Sequence, residues 1–149
     1  SGAGKSSVEN GLEEDIKENF KSYNVGFHRH QPEIKDFLKT EFNLDHEIIF
    51  IPHLLPLFRG EYVTLYCEVS QNDLDLNELY ESYYEKHKLV RVKEKGEIAE
   101  IKEVINTFYC DISVSYAFQS NTIVVNSAID NLLKGAASQA IQCLDIMSS

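Results

Sequence analysis

Strict alternation of apolar and polar residues predicts one long strand in this chain. Over residues 62–69 every second position is apolar, which is the two-residue period of a half-buried strand. One face of this strand carries Val63, Leu65, Cys67 and Val69. The other face carries Tyr62, Thr64, Tyr66 and Glu68. This second face is aromatic enough to pair two sheets across a dimer.

A period of three to four residues predicts helices elsewhere. Residues 32–42 give the clearest one, because Pro32 suits the first helical position and Glu33 suits the first turn. Its apolar stripe consists of Ile34, Phe37, Leu38 and Phe42. Helices are also predicted within residues 6–23 and 72–88. The inward-facing residues of the second of these are Leu76, Leu79, Tyr80 and Tyr83.

The remaining apolar runs are short and predict strands. Residues 48–51 predict a buried strand and residues 89–92 another, while residues 108–128 predict a hairpin that turns near residues 119–121. Helices beside a sheet of this kind indicate an α+β fold with a mixed, mainly antiparallel sheet, rather than a doubly wound one.

A final helix is predicted over residues 128–147, where apolar residues again recur at helical spacing. Ser127 and Asp130 resemble a capping box at its start. Gly135 lies inside the helix, where glycine costs about 1 kcal/mol relative to alanine. We therefore expect a partner helix or a cofactor to approach the backbone closely at Gly135.

Composition narrows the possible functions. The 149 residues carry a formal net charge of -10, which argues against nucleic acid as a partner. Apolar residues make up 43% of the chain, and no apolar run reaches membrane-spanning length, so we expect a soluble domain without a membrane anchor. The chain has three cysteines, and this odd number argues against a framework of disulfides. We therefore expect a reducing, cytoplasmic compartment. We expect core packing for all of them: Cys67, Cys110 and Cys143.

Against this acidic background, His28, Arg29 and His30 place three potential cations together, just before a predicted helix N-terminus. Free backbone N–H groups and the positive end of the helix dipole favour an anion there. The cluster can be a solvated loop, or one histidine can act as a general acid or base, with Glu33 orienting it and Arg29 holding the anion. We expect no metal, because the chain has no H-E-x-x-H or C-x-x-C motif.

Arg59 stands in an apolar, proline-containing loop, PHLLPLFRG. It is either a surface arginine or a bidentate clamp for a carboxylate or phosphate. The residues alone thus indicate an α+β domain with a site suited to a small anion.

Four segments in this order resemble one family, the N-acetyl-gamma-glutamyl-phosphate reductases. They are SGAGK at 1–5, YNVGFHRHQPEI at 23–34, FIPHLLPLFRG at 50–60 and SAIDNLLKGAASQAIQ at 127–142. The last segment also resembles the related aspartate-semialdehyde dehydrogenases, and the second and third favour the reductases. The resemblance covers essentially the whole chain. It implies the C-terminal fold of the glyceraldehyde-3-phosphate and semialdehyde dehydrogenases, with helices packed on one face of the sheet.

The resemblance also implies an activity, the NADPH-dependent reduction of N-acetylglutamyl 5-phosphate through a cysteine thioester, in arginine biosynthesis. Acid/base catalysis falls to His28, with His30 as its rival and Glu33 as the orienting carboxylate. The substrate anion would contact Arg59 and Arg29. The cofactor-side residues would be Ser1, Gly2, Gly4 and Asn131.

The chain departs from this family in its nucleophile and its nucleotide site. None of its cysteines stands in the family's Gly-Cys-Tyr-Pro-Thr motif, and the Gly-rich dinucleotide fingerprint is missing. We therefore expect residues 1–149 to be the catalytic and dimerisation domain, without the domain that mainly binds NADP(H). The final helix, 128–147, would pack on that missing domain, and the chain alone would be inactive.

Alternatives remain at this stage. The chain could be a non-catalytic dimerisation or regulatory module on the same fold, or part of a related semialdehyde dehydrogenase. In each case we expect a homodimer or homotetramer formed through the sheet.

Overall fold

The computed structural model describes residues 17–70, 73–118 and 120–148. The chain divides into two units, residues 1–58 and residues 59–149.

Within its described residues, 17–58, the first unit contains one helix and a two-stranded ribbon. Strand β1 (Lys21–Ser22) pairs antiparallel with β2 (His53–Leu54), and helix α1 spans His30–Phe42. Helix α1 ends at Asn43, whose positive φ of 54° lets the chain turn back on the last carbonyl groups. The helix predicted over residues 32–42 is thus confirmed, and it begins two residues earlier.

Two predictions for this unit need correction. Residues 48–51 form no strand, and Ile49 is exposed. A four-residue apolar run cannot by itself identify a buried strand, and the pairing begins only after Pro52. Most of the helix predicted within residues 6–23 lies outside the described residues, but Lys21–Ser22 are a strand, because their backbone pairs with β2.

The second unit is a four-stranded sheet in the order β3-β6-β5-β4. Its strands are β3 (Glu61–Glu68), β4 (Val90–Val92), β5 (Cys110–Tyr116) and β6 (Thr122–Ile129). β6 runs antiparallel to both of its neighbours, and β4 runs parallel to β5. The predicted α+β class with a mixed, mainly antiparallel sheet is therefore confirmed.

Two helices accompany this sheet. Helix α2 (Leu76–Tyr84) begins at Asp75, whose carboxylate accepts hydrogen bonds from the amides of Asn77 and Glu78. The one-turn helix α3 (Ile101–Val104) ends in the core, where Val104 is fully buried. The core cluster around α3 consists of Ala99, Val104 and Ala128.

The inward face of α2 was only partly predicted. Leu76 is buried as expected, but Leu79 and Tyr83 are exposed. Tyr80 and Tyr84 are the half-buried tyrosines, and they follow Leu76 at the i+4 spacing of a single helix face. The predicted burial of Cys143 is also wrong, because its side chain is exposed. Cys67 and Cys110 are partly buried.

The last helix begins later in the chain than predicted. β6 continues to Ile129, and a π-helical turn (Leu133–Ala137) then leads into helix α4 (Ser138–Ser148). The predicted capping box is wrong, because Ser127 belongs to β6. Asp130 instead caps the turn that precedes the π-helical segment, where its Oδ1 accepts from the amides of Leu132 and Leu133 at 2.9 Å each.

Gly135 sits inside the π-helical turn. Its amide donates to the carbonyl of Asp130 at 2.9 Å, and a Cβ here would lie 3.3 Å from Cδ1 of Ile129. Within the described residues, the end of strand β6 approaches Gly135 this closely, and the approach of a partner helix or a cofactor stays a prediction.

Candidate functional site

A tight turn delivers His28 to the start of helix α1. Asn24 and Gly26 both have positive φ, 46° and 76°, and the amide of Phe27 closes the turn on the carbonyl of Asn24 at 3.0 Å. The amide of His30, in the first turn of α1, donates to Nδ1 of His28 at 3.3 Å. Nδ1 of His28 is thus an acceptor, so in the neutral ring the proton lies on Nε2.

Aromatic rings surround His28. Its ring centroid lies 4.7 Å from that of His30, 5.1 Å from Phe50 and 5.5 Å from Tyr23. His30 is exposed and also contacts Phe50, at 6.1 Å, whereas His28 is half-buried. The structure therefore brings the two candidate histidines together and gives His28 the more enclosed position.

Arg29 lies between the two histidines and Glu33 follows three residues after His30, and both side chains are exposed. Arg29 is the N-cap residue of α1, and Glu33 lies in its first turn. In the described part of the chain, Glu33 makes no hydrogen bond or ion pair with either histidine. The ring of His28 is oriented here by the His30 amide and by its aromatic neighbours.

Arg59, in the second unit, is held on two of its nitrogens. Nε lies 2.8 Å from Oδ2 of Asp130, and Nη1 donates to Oδ1 of Asn106 at 2.6 Å. The Arg59 side chain is 24% exposed and that of Asp130 is 0% exposed. Arg59 is therefore a partly buried, oriented guanidinium rather than a freely solvated one.

Asn131 reinforces this junction from the next position. Its Oδ1 accepts from the amide of Gly60 at 2.8 Å. Two consecutive residues thus contact two consecutive residues: Arg59 contacts Asp130, and Gly60 contacts Asn131. The Asn131 Oδ1 is occupied, which leaves the amide Nδ2 as the group that could donate to a cofactor.

Asp130 is the centre of the junction. Its Oδ2 also accepts from the amide of Asn106 at 2.7 Å, and Asn106 has a positive φ of 61°. Burial of the carboxyl opposes ionisation, but the combined hydrogen bonds from Asn106, Leu133, Arg59 and Leu132 outweigh it. The pKa of Asp130 therefore lies below its ordinary value, and the group is charged at neutral pH.

Sequence reasoning missed the roles of Asp130 and Asn106. The spacing of Asp130 from Ser127 suggested a residue in the first helical turn, whereas Asp130 caps the turn before the π-helical segment and is the partner of Arg59. Asn106 carried no periodic signal. An asparagine that directly follows two apolar residues, Val104 and Ile105, is a candidate for a left-handed turn, which is the one sequence feature that could have marked it.

Arg91 provides a contrasting arginine in the same unit. It forms a two-point ion pair with the fully buried Asp111, with Nε–Oδ1 at 2.6 Å and Nη2–Oδ2 at 2.8 Å. Its guanidinium also lies over the ring of Tyr109, 4.3 Å from the centroid. The hydrogen bond to Asp111 raises the pKa of Arg91. Nε and Nη2 of Arg91 are both used in contacts within the domain, which stabilise the fold.

The other predicted cofactor residues, Ser1, Gly2 and Gly4, lie outside the described residues. Among residues 17–70, 73–118 and 120–148, no group of three or more His, Cys, Asp or Glu side chains is arranged to hold a metal ion. No helix in the same residues is long and apolar enough to cross a membrane.

Known proteins match both the sequence and the fold. N-acetyl-gamma-glutamyl-phosphate reductases from Geobacillus sp. (strain WCH70) and Thermoanaerobacter sp. (strain X514) are 41% and 39% identical to this chain over 150 residues. Each alignment covers 99% of this chain and 43% of the relative. The chain therefore spans less than half the length of these curated relatives.

Solved structures share the fold at much lower identity. Aspartate semialdehyde dehydrogenase from Francisella tularensis aligns with 100% of this chain and 49% of its own, with a TM-score of 0.67 and 13% identity. Aspartate semialdehyde dehydrogenase II from Vibrio cholerae aligns with 89% of this chain and 40% of its own, with a TM-score of 0.64 and 15% identity. The expected semialdehyde dehydrogenase fold is thus confirmed.

The family model described as the semialdehyde dehydrogenase dimerisation domain matches residues 1–131, which is most of the sequence. This chain belongs to the semialdehyde dehydrogenase dimerisation-domain family.

Proposed function

We propose that this chain is the catalytic and dimerisation part of an N-acetyl-gamma-glutamyl-phosphate reductase that works in the cytoplasm. The complete protein would reduce N-acetylglutamyl 5-phosphate to N-acetylglutamate 5-semialdehyde and phosphate, in arginine biosynthesis. The name of the similar proteins supplies this reaction. The observation that carries the proposal is His28, a half-buried imidazole at a helix N-terminus with its Nδ1 facing the His30 amide.

In this proposal, a cysteine outside the present 149 residues attacks the acyl phosphate, and phosphate leaves as the thioester forms. NADPH, when bound, supplies the hydride that reduces the thioester carbonyl. Collapse of the resulting thiohemiacetal then releases the aldehyde and restores the thiolate. His28 exchanges protons with the sulfur and the carbonyl oxygen through Nε2, the ring nitrogen that takes no part in the His30 contact.

Two cations of this chain would each contact an anionic group of the substrate. Arg29 stands at the N-terminus of α1, where backbone N–H groups and the helix dipole also favour an anion. Arg59 has Nε and Nη1 engaged, so Nη2 would make its contact with a carboxylate or phosphate oxygen. Glu33 would act on His28 only after a change from its present exposed position.

NADP(H) would be bound mainly by residues outside this chain. Ser1, Gly2, Gly4 and Asn131 would contribute contacts from this side, with Asn131 donating through Nδ2. The last helix would pack against the nucleotide-binding domain. By itself, the 149-residue chain would have no reductase activity, because none of its cysteines stands in the nucleophile motif.

A second candidate function is that of a dimerisation module without catalysis. The exposure of both faces of strand β3, at Tyr66 and Leu65 for example, favours an assembly role. This role is compatible with the reductase, since the family description itself specifies a dimerisation domain.

The test of the reductase proposal is substitution of the two histidines in the complete protein. We expect His28→Asn to lower kcat by on the order of 100-fold or more, because a positioned general acid or base contributes at least that much. NADPH affinity should be nearly unchanged. His30→Asn is the matched control, with a smaller expected effect.

Steady-state rates of NADPH oxidation with the acyl phosphate measure both variants. Unchanged turnover in His28→Asn would reject His28, and a collapse in His30→Asn alone would transfer the role to His30.

A further inference from the structure

Arg59, Asn106 and Asp130 form a closed ring of polar contacts. Arg59 reaches Asp130 through Nε at 2.8 Å and Asn106 through Nη1 at 2.6 Å. The amide of Asn106 closes the ring on Oδ2 of Asp130 at 2.7 Å. Each member therefore contacts the other two, although the three residues come from distant parts of the sequence.

We propose that Asp130 and Asn106 are positioning residues that fix the Arg59 guanidinium for the anionic substrate. This inference rests on the proposed function, in which Arg59 clamps a carboxylate or phosphate oxygen. An arginine side chain has several rotatable bonds, and holding it in one orientation before binding removes part of the entropy cost of the complex.

Asp130 is suited to this task because burial and backbone hydrogen bonds fix its carboxylate. Its side chain is fully buried, and three backbone amides, those of Asn106, Leu132 and Leu133, hold its two oxygens. The amide of Asn106 belongs to the segment after α3, and those of Leu132 and Leu133 belong to the residue before the π-helical turn and to the start of that turn. The position of the guanidinium is thus set by the backbone of two separate elements.

The same carboxylate also sets the neighbouring cofactor-side candidate. Capping by Asp130 fixes the turn that carries Asn131, and Asn131 holds the amide of Gly60. Arg59 and Asn131 are therefore placed by one buried group. Within the described contacts, the ring occupies Nε and Nη1 of Arg59 and leaves Nη2 for a ligand.

Charge and geometry make opposite predictions for this site. The negative charge of Asp130 offsets that of Arg59, so a purely electrostatic view predicts tighter anion binding when Asp130 is neutralised. The positioning role predicts weaker binding, because the guanidinium loses its fixed partner. Asp130→Asn separates the two, since it removes the charge and keeps nearly the same shape.

The experiment measures kcat and KM for the acyl phosphate in the complete protein. We expect Asp130→Asn to raise KM about tenfold or more with a smaller change in kcat, the loss typical of one charge-assisted contact. Asn106→Gly removes the side chain with its Oδ1 acceptor and keeps both the positive φ and the backbone amide that reaches Asp130, so it serves if Asp130→Asn folds poorly. It should raise KM about threefold to tenfold.

Asp111→Asn is the control, because Asp111 is equally buried and also faces an arginine, Arg91, although through two contacts rather than one. Its KM should stay within about twofold of wild type. A similar rise in Asp111→Asn would assign the effect to general destabilisation and overturn the inference.

The remaining outcomes separate the inference from the proposed function. If wild-type protein does not reduce the acyl phosphate, the proposed function falls and this inference falls with it. If wild type is active and Asp130→Asn or Asn106→Gly leaves KM unchanged or lower, the inference alone is overturned.

Discussion

Two carboxylates of the described chain are fully buried, and both face an arginine, yet they are stabilised differently. Asp111 is held by the two-point fork of Arg91. Asp130 receives three backbone amides and a single guanidinium nitrogen. A buried charge that loses its only partner costs about 3–5 kcal/mol. Because backbone amides satisfy Asp130, its ionised state does not depend on Arg59 alone.

The low pKa of Asp130 predicts a loss of stability in acid. The unfolded chain binds the Asp130 proton at a higher pH than the folded chain does, so this group stabilises the fold above the ordinary aspartate pKa of 3.8. That contribution declines as the pH falls below 3.8 toward the folded-state pKa. We expect Asp130→Asn to flatten the fall in Tm below about pH 4.

Thermal unfolding of the complete protein between neutral pH and pH 3 measures this effect. Asp45→Asn is the control, because Asp45 pairs with Lys39 on the exposed surface, where solvent weakens the ion pair. Parallel pH profiles for wild type and Asp130→Asn would contradict the prediction.

At the residue scale, the sequence predicted the role of a residue where that role depends on neighbouring residues in the chain. Pro32 and Glu33 marked the start of α1, and that start placed His28 at a helix N-terminus. The partners of Arg59 were not readable, because Asn106 and Asp130 approach it only when the sheet forms. Asp130 even carried a misleading local signal, since its spacing from Ser127 imitates a capping box.

At the element scale, the long strands were predicted and the element ends were not. β3 and the β5–β6 hairpin follow their two-residue alternation. The chain stays extended to Ile129 because β6 pairs with β3 on one side and β5 on the other, which overrides the helical period that begins at Ala128. The short strand β2 had no such pattern, since only pairing with β1 defines it.

The conformation of the connection into β3 depends on one residue, Gly60. Its φ is +112°, and a Cβ at this position would lie 2.4 Å from Cγ2 of Ile101. Gly60→Ala therefore combines backbone strain with overpacking against α3, and we expect it to lower the free energy of unfolding by about 3 kcal/mol or more.

Gly96→Ala is the matched control for this substitution. Gly96 also has a positive φ, 92°, but a Cβ there meets nothing within 4 Å. It should cost only the backbone strain, about 1 kcal/mol. Denaturant unfolding of the complete protein compares the two variants, and equal losses would show that the contact with Ile101 carries no cost.

At the scale of the whole molecule, the sheet of the second unit has one long edge. β3 contributes eight residues to this edge, and among the described strands it is paired on one side only, by β6. Its tyrosines and aliphatic side chains are exposed on both faces, with Tyr66 69% and Leu65 51% exposed. Exposed apolar surface of this extent on a strand favours association.

The assembly prediction distinguishes the two faces of β3. We expect the homo-oligomer to use the face of Tyr62, Thr64, Tyr66 and Glu68, since an aromatic face buries the larger area per residue. Tyr66→Glu would then place a charge in the interface, whereas Leu65→Glu places the same charge one residue away on the opposite face. Sedimentation analysis of the complete protein at micromolar concentration should show a reduced mass for Tyr66→Glu alone. Dissociation by Leu65→Glu instead would assign the interface to the face of Val63 and Leu65, and an unchanged mass in both variants would exclude β3.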